Sequence, residues 1–350
     1  MKISAAILTL FALPMVVLAR EAVDSATNSP KVAAAEISPA DRLQSLDAGQ
    51  IQQAISAIRE RHVEGAKIDD SAMQRATLQG LLESLEPGAD LIGDKAPTEK
   101  VSPFRSEILE GDIGYVRLGS LQTENLAQLD AALQEFTAKK VHGVVLDLRA
   151  TPDSQNFELA AQVAERFVPK GAAVFNLRRA GAAEPKIFTA ASGPLFQGVL
   201  VVVVDAGLGG AGEALAATLR RHAQAMLVGT TTSGRAVEFA TVPLGSGQNL
   251  RLAVAAAQVE GAPDLYPKGI RPDLLVEQTP EDRETILALS LEKGAGAFVF
   301  EKERAQLNEA ALVAGTNPEL VASPETSPAI FDRPLQRAVD LVTAIRLFRK

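Results

Sequence analysis

The chain has 350 residues, a formal net charge of −8, no cysteine and only three histidines. Without cysteine there can be no disulfide, thiol nucleophile, thiolate metal site or lipid-modified cysteine, and His62, His142 and His222 stand 80 residues apart, with no zinc-ligand spacing. The basic residues are scattered through an acidic chain, which argues against a nucleic-acid partner, and neither a metal nor another cofactor is expected.

Met1-Lys2 gives a positive start, and an apolar run follows to Ala19, ending in Val17-Leu18-Ala19 before charged Arg20-Glu21. This is the layout of a cleavable signal peptide over 1–19, and the run is short for a membrane span. An uncleaved anchor is the alternative. The pattern therefore predicts an exported protein, periplasmic or otherwise in the cell envelope, with no membrane span once the signal is removed. Residues 20–40, rich in Ala, Ser, Pro and charge, read as a flexible leader.

From Asp41 apolar residues recur at three- and four-residue steps, through Leu43, Leu46, Ile51, Ala54, Ile55 and Ile58. A second helix is predicted from about Asp70 to Leu85, capped by Asp69 or Asp70. Glu86-Pro87-Gly88 ends it, and a polar loop is expected to about Pro103, closing an N-terminal helical segment over 41–103. Strands and helices then alternate over 104–280. Strands are predicted over 113–118, 144–148, 173–177, 199–204 and 225–228, and helices over 124–139, 157–167 and 211–222. That alternation predicts an α/β core with parallel neighbours in the sheet. A hairpin over 237–242 and 250–255, turning at Gly245-Ser246-Gly247, is expected on the same sheet. C-terminal helices are predicted over 281–350, at 281–292, about 298–313 and 332–348, the last strongly apolar on one side.

Gly207-Leu208-Gly209-Gly210-Ala211-Gly212 follows an apolar strand and opens a helix, so it formally fits a dinucleotide-binding turn. The next strand ends in Val228-Gly229-Thr230, with no acid for the ribose, and Glu213 would oppose phosphate.

A different reading takes in more of the chain. Asp147-Leu148-Arg149, the apolar strand before Gly207, Glu213, Val228-Gly229, Ser233-Gly234-Arg235 and Pro267-Lys268-Gly269-Ile270-Arg271-Pro272-Asp273 follow one another in order. So do Gly80 to Pro87 and Asp112 to Leu118 ahead of them. The order resembles the tail-specific (carboxy-terminal processing) proteases, whose members carry D-L-R-x-N-P-G-G, G-S-A-S-A-S-E, V-G-E-x-T-F-G-K-G and G-K-G-I-x-P-D. The resemblance spans roughly residues 50–280 and implies that family's ClpP/crotonase-like core. It also implies a serine nucleophile with a neutral lysine as base. In this chain the serine position falls on Gly210, the lysine on Arg235, and the glutamine that orients the lysine on Phe239. The oxyanion-loop glycines fall on Asp153 and Ser154. Glycine has no side chain, arginine keeps its proton, and a carboxylate opposes a developing oxyanion. No catalytic position of the family is intact on this alignment. The interval from Pro87 to Asp112 is also too short for the PDZ domain that members usually carry there.

The resulting expectation is a degenerate, catalytically inactive pseudopeptidase that binds a protein or peptide partner and can form an oligomer. Two alternatives remain at this stage. One is an active serine-type peptidase with a nucleophile displaced to Ser154, Thr230, Thr231, Thr232 or Ser233. The other is a structural subunit of an active paralogue. Asp147, Asp153, Asp205 and Glu213 could cluster for metal or acid–base work. The plainer reading has Asp147 and Arg149 pinning a loop, Glu213 complementing a helix dipole and His222 capping a helix C-terminus.

Overall fold

The computed structural model describes residues 39–93, 101–299 and 330–348. The expected signal peptide, nearly all of the expected leader and the expected helix beyond Val299 lie outside the described residues. The chain divides into two compact units, residues 1–73 and 74–350.

In the first unit α1 spans Pro39–Gln44 and α2 spans Ala48–Arg61. Asp47 caps α2 reciprocally: its Oδ1 accepts the Gln50 N–H at 2.8 Å while Gln50 Oε1 accepts the Asp47 N–H at 3.0 Å. Helix α3 (Asp70–Ser84) starts after Asp69, whose Oδ1 accepts the Ala72 N–H at 2.7 Å, so the predicted cap is present. Neither α2 nor α3 contains a buried residue.

Two sheets organise the second unit. One has six strands in the order β11-β8-β7-β4-β3-β2. Its centre, β3 (Ile113–Arg117), β4 (Gly143–Asp147), β7 (Val199–Val204) and β8 (Met226–Gly229), is parallel. β11 (Leu274–Leu275) adds in parallel, and β2 (Arg105–Leu109) pairs antiparallel with β3 at the other edge. These central strands are apolar on both faces, as strands covered from both sides must be. Alternate side chains, Val116, Val144, Leu146, Val202 and Val204, join the main core with α4 (Thr123–Ala138), α5 (Phe157–Glu165) and α6 (Ala211–His222). Their neighbours Ile113, Tyr115, Val145, Val201 and Val203 pack against Leu335, Ala338, Val339 and Val342 of α8 (Arg333–Phe348). The strongly apolar last helix is thus used inside its own unit. Helix α7 (Pro280–Lys293) precedes it, capped by Thr279, and a short 3-10 turn at Gly296–Phe298 stands where a longer helix was expected to begin.

The second sheet departs from expectation. β9 (Val237–Gly245) and β10 (Gln248–Gln258) form the predicted hairpin, but not on the parallel sheet. β10 is long enough to use both edges: β9 pairs along one, β1 (Ala89–Gly93) and then β5 (Ala173–Arg179) along the other, with β6 (Lys186–Thr189) outside β5. β1 occupies part of the expected polar loop. A hairpin's local pattern fixes its own register but not the sheet it joins, because that pairing is non-local. Among the described residues no helix is long and apolar enough to cross a membrane.

Candidate functional site

The loop from Arg149 to Ser154 leaves the carboxyl end of β4, the end at which open α/β sheets build their sites. Its first residue is locked. Arg149 donates Nε to Asp147 Oδ1 at 3.0 Å and Nη2 to Asp147 Oδ2 and Asp332 Oδ2, each at 2.7 Å, while Nη1 reaches Asp332 Oδ1 at 2.8 Å. All three side chains are buried, and Tyr115 donates its hydroxyl to Asp147 at 2.9 Å. Burial by itself would raise the Asp147 pKa, but Arg149 and Arg117 overcome it and hold the carboxyl below its ordinary value. Burial would likewise lower the Arg149 pKa, and Asp147 and Asp332 push it well above instead. Asp332 also accepts the Leu335 N–H at 3.1 Å, so one residue caps α8 and completes the cluster. Arg149 therefore does more than pin its own loop: it ties the end of β4 to the last helix.

Gly210 lies at the turn from β7 into α6, with φ 56° and ψ −133°. That backbone conformation favours glycine, and it is the sharp strand-to-helix turn on which hydrolases of other folds display a nucleophile. The surroundings leave no room for a side chain. A Cβ on Gly210 would stand 2.3 Å from the Ser154 carbonyl oxygen and 2.5 Å from Asp153 Oδ1. The turn is held by Gly210 N–H to the Arg235 carbonyl at 3.0 Å and Ala211 N–H to the Ser154 carbonyl at 2.8 Å, and Gly212 N–H bonds the Gly209 carbonyl at 3.1 Å. The amides that a pyrophosphate would use are thus occupied, which removes the physical basis of a dinucleotide site.

The residues expected at the other family positions lie around the same turn. Asp153 Oδ2 lies 3.3 Å from Arg235 Nε and 4.0 Å from the Arg251 guanidinium. The Arg251 guanidinium stacks over the Phe239 ring at 3.8 Å from its centroid, and the Phe239 N–H donates to Gln155 Oε1 at 2.8 Å. Burial raises the Asp153 pKa, with Arg235 and Arg251 opposing the shift. Asp153 Oδ1 has no hydrogen-bond partner among the described residues, nor has the Arg235 Nε, so the pair is an ion contact without hydrogen-bond alignment. Asp153 and Arg235, which looked separately damaging to catalysis in the sequence, are electrostatic partners of each other.

Glu213 is fully buried one turn into α6. It accepts the Thr232 hydroxyl, in a short contact, and the Gly234 N–H at 2.8 Å. Burial raises its pKa, against hydrogen bonds from Thr232, Gly234 and Arg235. It sits in the first turn of α6, where the expected dipole role places it, and it also clips the 232–234 loop to the helix. The four candidate carboxylates turn to separate partners: Asp147 to Arg149, Asp153 to Arg235, Asp205 to Arg283, and Glu213 to Thr232. Among the described residues no three histidine, cysteine or acidic side chains are arranged to hold a metal ion. His222 ends α6 with Arg220 and Arg221 in the same last turn; its Nε2 is buried without a partner among the described residues, and burial together with Arg221 lowers its pKa.

Two of the candidate substitutes for a nucleophile have other engagements. Thr232 donates to Glu213, and Ser154 Oγ accepts the Asn156 N–H at 3.2 Å. Ser233 Oγ is buried without a hydrogen-bond partner among the described residues. Three residues at the centre escaped the sequence reading: Asp332, Gln155 and Arg251. Only Arg251 left a usable signal. Phe239 pairs with Ala253, so Arg251 is diagonal to it across the hairpin, and the Gly245-Ser246-Gly247 turn sets that relation.

Residues 112–276 match the profile of Peptidase family S41. The chain is 30% identical over 226 residues to the carboxy-terminal-processing protease of Bartonella bacilliformis, covering 58% of this chain and 52% of that protein. It is 29% identical over 234 residues to the carboxyl-terminal-processing protease of Synechocystis, covering 64% and 51%. A solved photosystem II D1 C-terminal processing protease superposes with a TM-score of 0.42 at 25% identity, over 59% of this chain and 53% of that one. The chain spans about half the length of these curated relatives. Over its central residues, 112–276, the chain is thus similar to Peptidase family S41 and to the C-terminal processing proteases.

Proposed function

We propose that this is a catalytically inactive tail-specific protease-like protein, exported to the cell envelope, that binds a protein or peptide partner. The observation that carries the reading is the occupation of the Gly210 turn: the place of a nucleophile side chain is taken by the Ser154 carbonyl and the Asp153 carboxylate. Arg235, which cannot serve as a base at neutral pH, is held against that carboxylate. Export rests on the predicted signal peptide. A displaced nucleophile would need a serine or threonine hydrogen-bonded to a lysine or histidine, and Ser154, Thr232 and Ser233 have no such partner among the described residues. Partner binding draws support from α2, whose Ile51 and Ile58 stay exposed.

The test is labelling of the purified chain with a fluorophosphonate, which modifies activated serines, followed by peptide mapping. No adduct is expected on Ser154 or Ser233, and no modification of Thr230, Thr231 or Thr232. A stoichiometric adduct on any of them would overturn the reading.

A further inference from the structure

A second concave site lies away from the Gly210 turn, where the last turn of α6 meets the segment between β10 and β11. It is a pocket of about 630 Å³, within the range of ordinary ligand sites. Its shape follows from the chain. Gly269, at φ 72°, presses its backbone against the Thr232 carbonyl, and Ile270 N–H bonds Thr232 Oγ1 at 2.8 Å. This holds the 268–271 turn beside the helix end. Leu265, Ile270 and Pro272 are buried and give the pocket an apolar floor.

The rim is basic in a chain of net charge −8. Arg220, Arg221, Lys268 and Arg271 line it against a single lining carboxylate, Asp264. Arg220 is spoken for: it pairs with Asp273 at 2.5 Å and donates to the Arg271 carbonyl at 3.0 Å. Arg221 donates Nε to the Glu260 carbonyl at 3.1 Å, a contact that fixes the guanidinium without neutralising it. Lys268 and Arg271 are exposed and have no ion pair among the described residues. Three cations without an ion pair among the described residues therefore surround an apolar floor, against the one carboxylate of Asp264.

We propose that this pocket binds an acidic peptide segment of a partner protein, with an aliphatic side chain on the floor and flanking carboxylates on Arg221, Lys268 and Arg271. A small inorganic anion would satisfy the rim and leave the floor in contact with water, whereas a peptide uses both. The proposal deepens the partner-binding reading, and it can fail independently of the loss of catalysis, which the fluorophosphonate labelling tests.

The experiment is a fluorescence-anisotropy titration of the purified chain with a fluorescein-labelled peptide of glutamates around one leucine. Two comparison peptides replace the glutamates by lysines or the leucine by serine. Binding of the acidic, leucine-containing peptide is expected, weaker with serine and lost with lysines. Raising the salt from about 0.05 to about 0.3 M should weaken it severalfold. The double variant Lys268→Glu/Arg271→Glu should bind about tenfold more weakly, the Lys268→Ala/Arg271→Ala pair less so. Both alter exposed side chains only, so circular dichroism should be unchanged. Equal binding of the lysine peptide, unchanged binding by the charge-reversed variant, or displacement of the peptide by millimolar phosphate would each overturn the proposal.

Discussion

The loop from Arg149 to Ser154 has two ends with opposite chemistry. At one end Arg149 is buried between Asp147 and Asp332, and each of its nitrogens has a carboxylate partner. At the other, Asp153 leaves one buried oxygen without a hydrogen bond, and its arginine partner is poorly aligned. The first is what a buried charge requires in order to be tolerated. The second is an acid and a permanent cation, Asp153 and Arg235, that partly offset each other. The framework around the site is held far more tightly than the site.

Replacing Arg149 by alanine should break that contrast most severely. Two buried carboxylates would lose their common partner, at a cost of about 3–5 kcal/mol, read as the shift in urea midpoint at constant slope. Asp332→Ala should cost less, about 2 kcal/mol, since Asp147 still faces Arg149 while α8 loses its cap. Limited proteolysis should then release α8 earlier than the rest of the unit.

At the other end Gly210→Ser should destabilise by about 1–3 kcal/mol, because its φ is 56° and the new Cβ meets the Ser154 carbonyl and Asp153. Adding Asp153→Gly should recover part of that loss, measured as a double-mutant coupling. Full additivity would mean that Asp153 does not fill the nucleophile space.

The two aspartates should also differ in pH dependence, with the smallest effect of the set. The Asp147 pKa is lowered by folding, so its stabilisation is present above the ordinary carboxyl value of 3.8 and is lost as pH falls through the folded value. The Asp153 pKa is raised, so its contribution is present below 3.8 and is lost as pH rises through the folded value. Asp153→Asn should therefore gain stability relative to the natural chain as pH goes from about 4 to about 7. An unchanged difference across that range would show that Asp153 titrates normally.

Much of this was legible in the sequence because it was local. The strand at 199–204 and the helix at 211–222 follow from their apolar runs, and the ordered motifs around Asp147, Glu213 and Pro272 pointed to the family. The positions Gly210, Asp153, Ser154, Arg235 and Phe239 were picked out from motif order alone, and the structure brings them together around one turn. What could not be read depended on distant chain. Arg149 and Asp332 are 183 residues apart, and no local pattern links them. β1 and β6 are short and largely exposed, so neither shows the alternation that marks a half-buried strand. The pairing of Asp153 with Arg235 was likewise invisible while each was judged as a separate loss.

The most direct test is proteolysis of an unfolded protein substrate, followed by gel and mass spectrometry. The natural chain is compared with a variant carrying Gly210→Ser, Arg235→Lys, Phe239→Gln, Asp153→Gly and Ser154→Gly. No cleavage by the natural chain is expected, and cleavage by the five-fold variant would further show that these positions form the family's site. Reproducible cleavage by the natural chain, undiminished after repurification, would contradict the loss of catalysis.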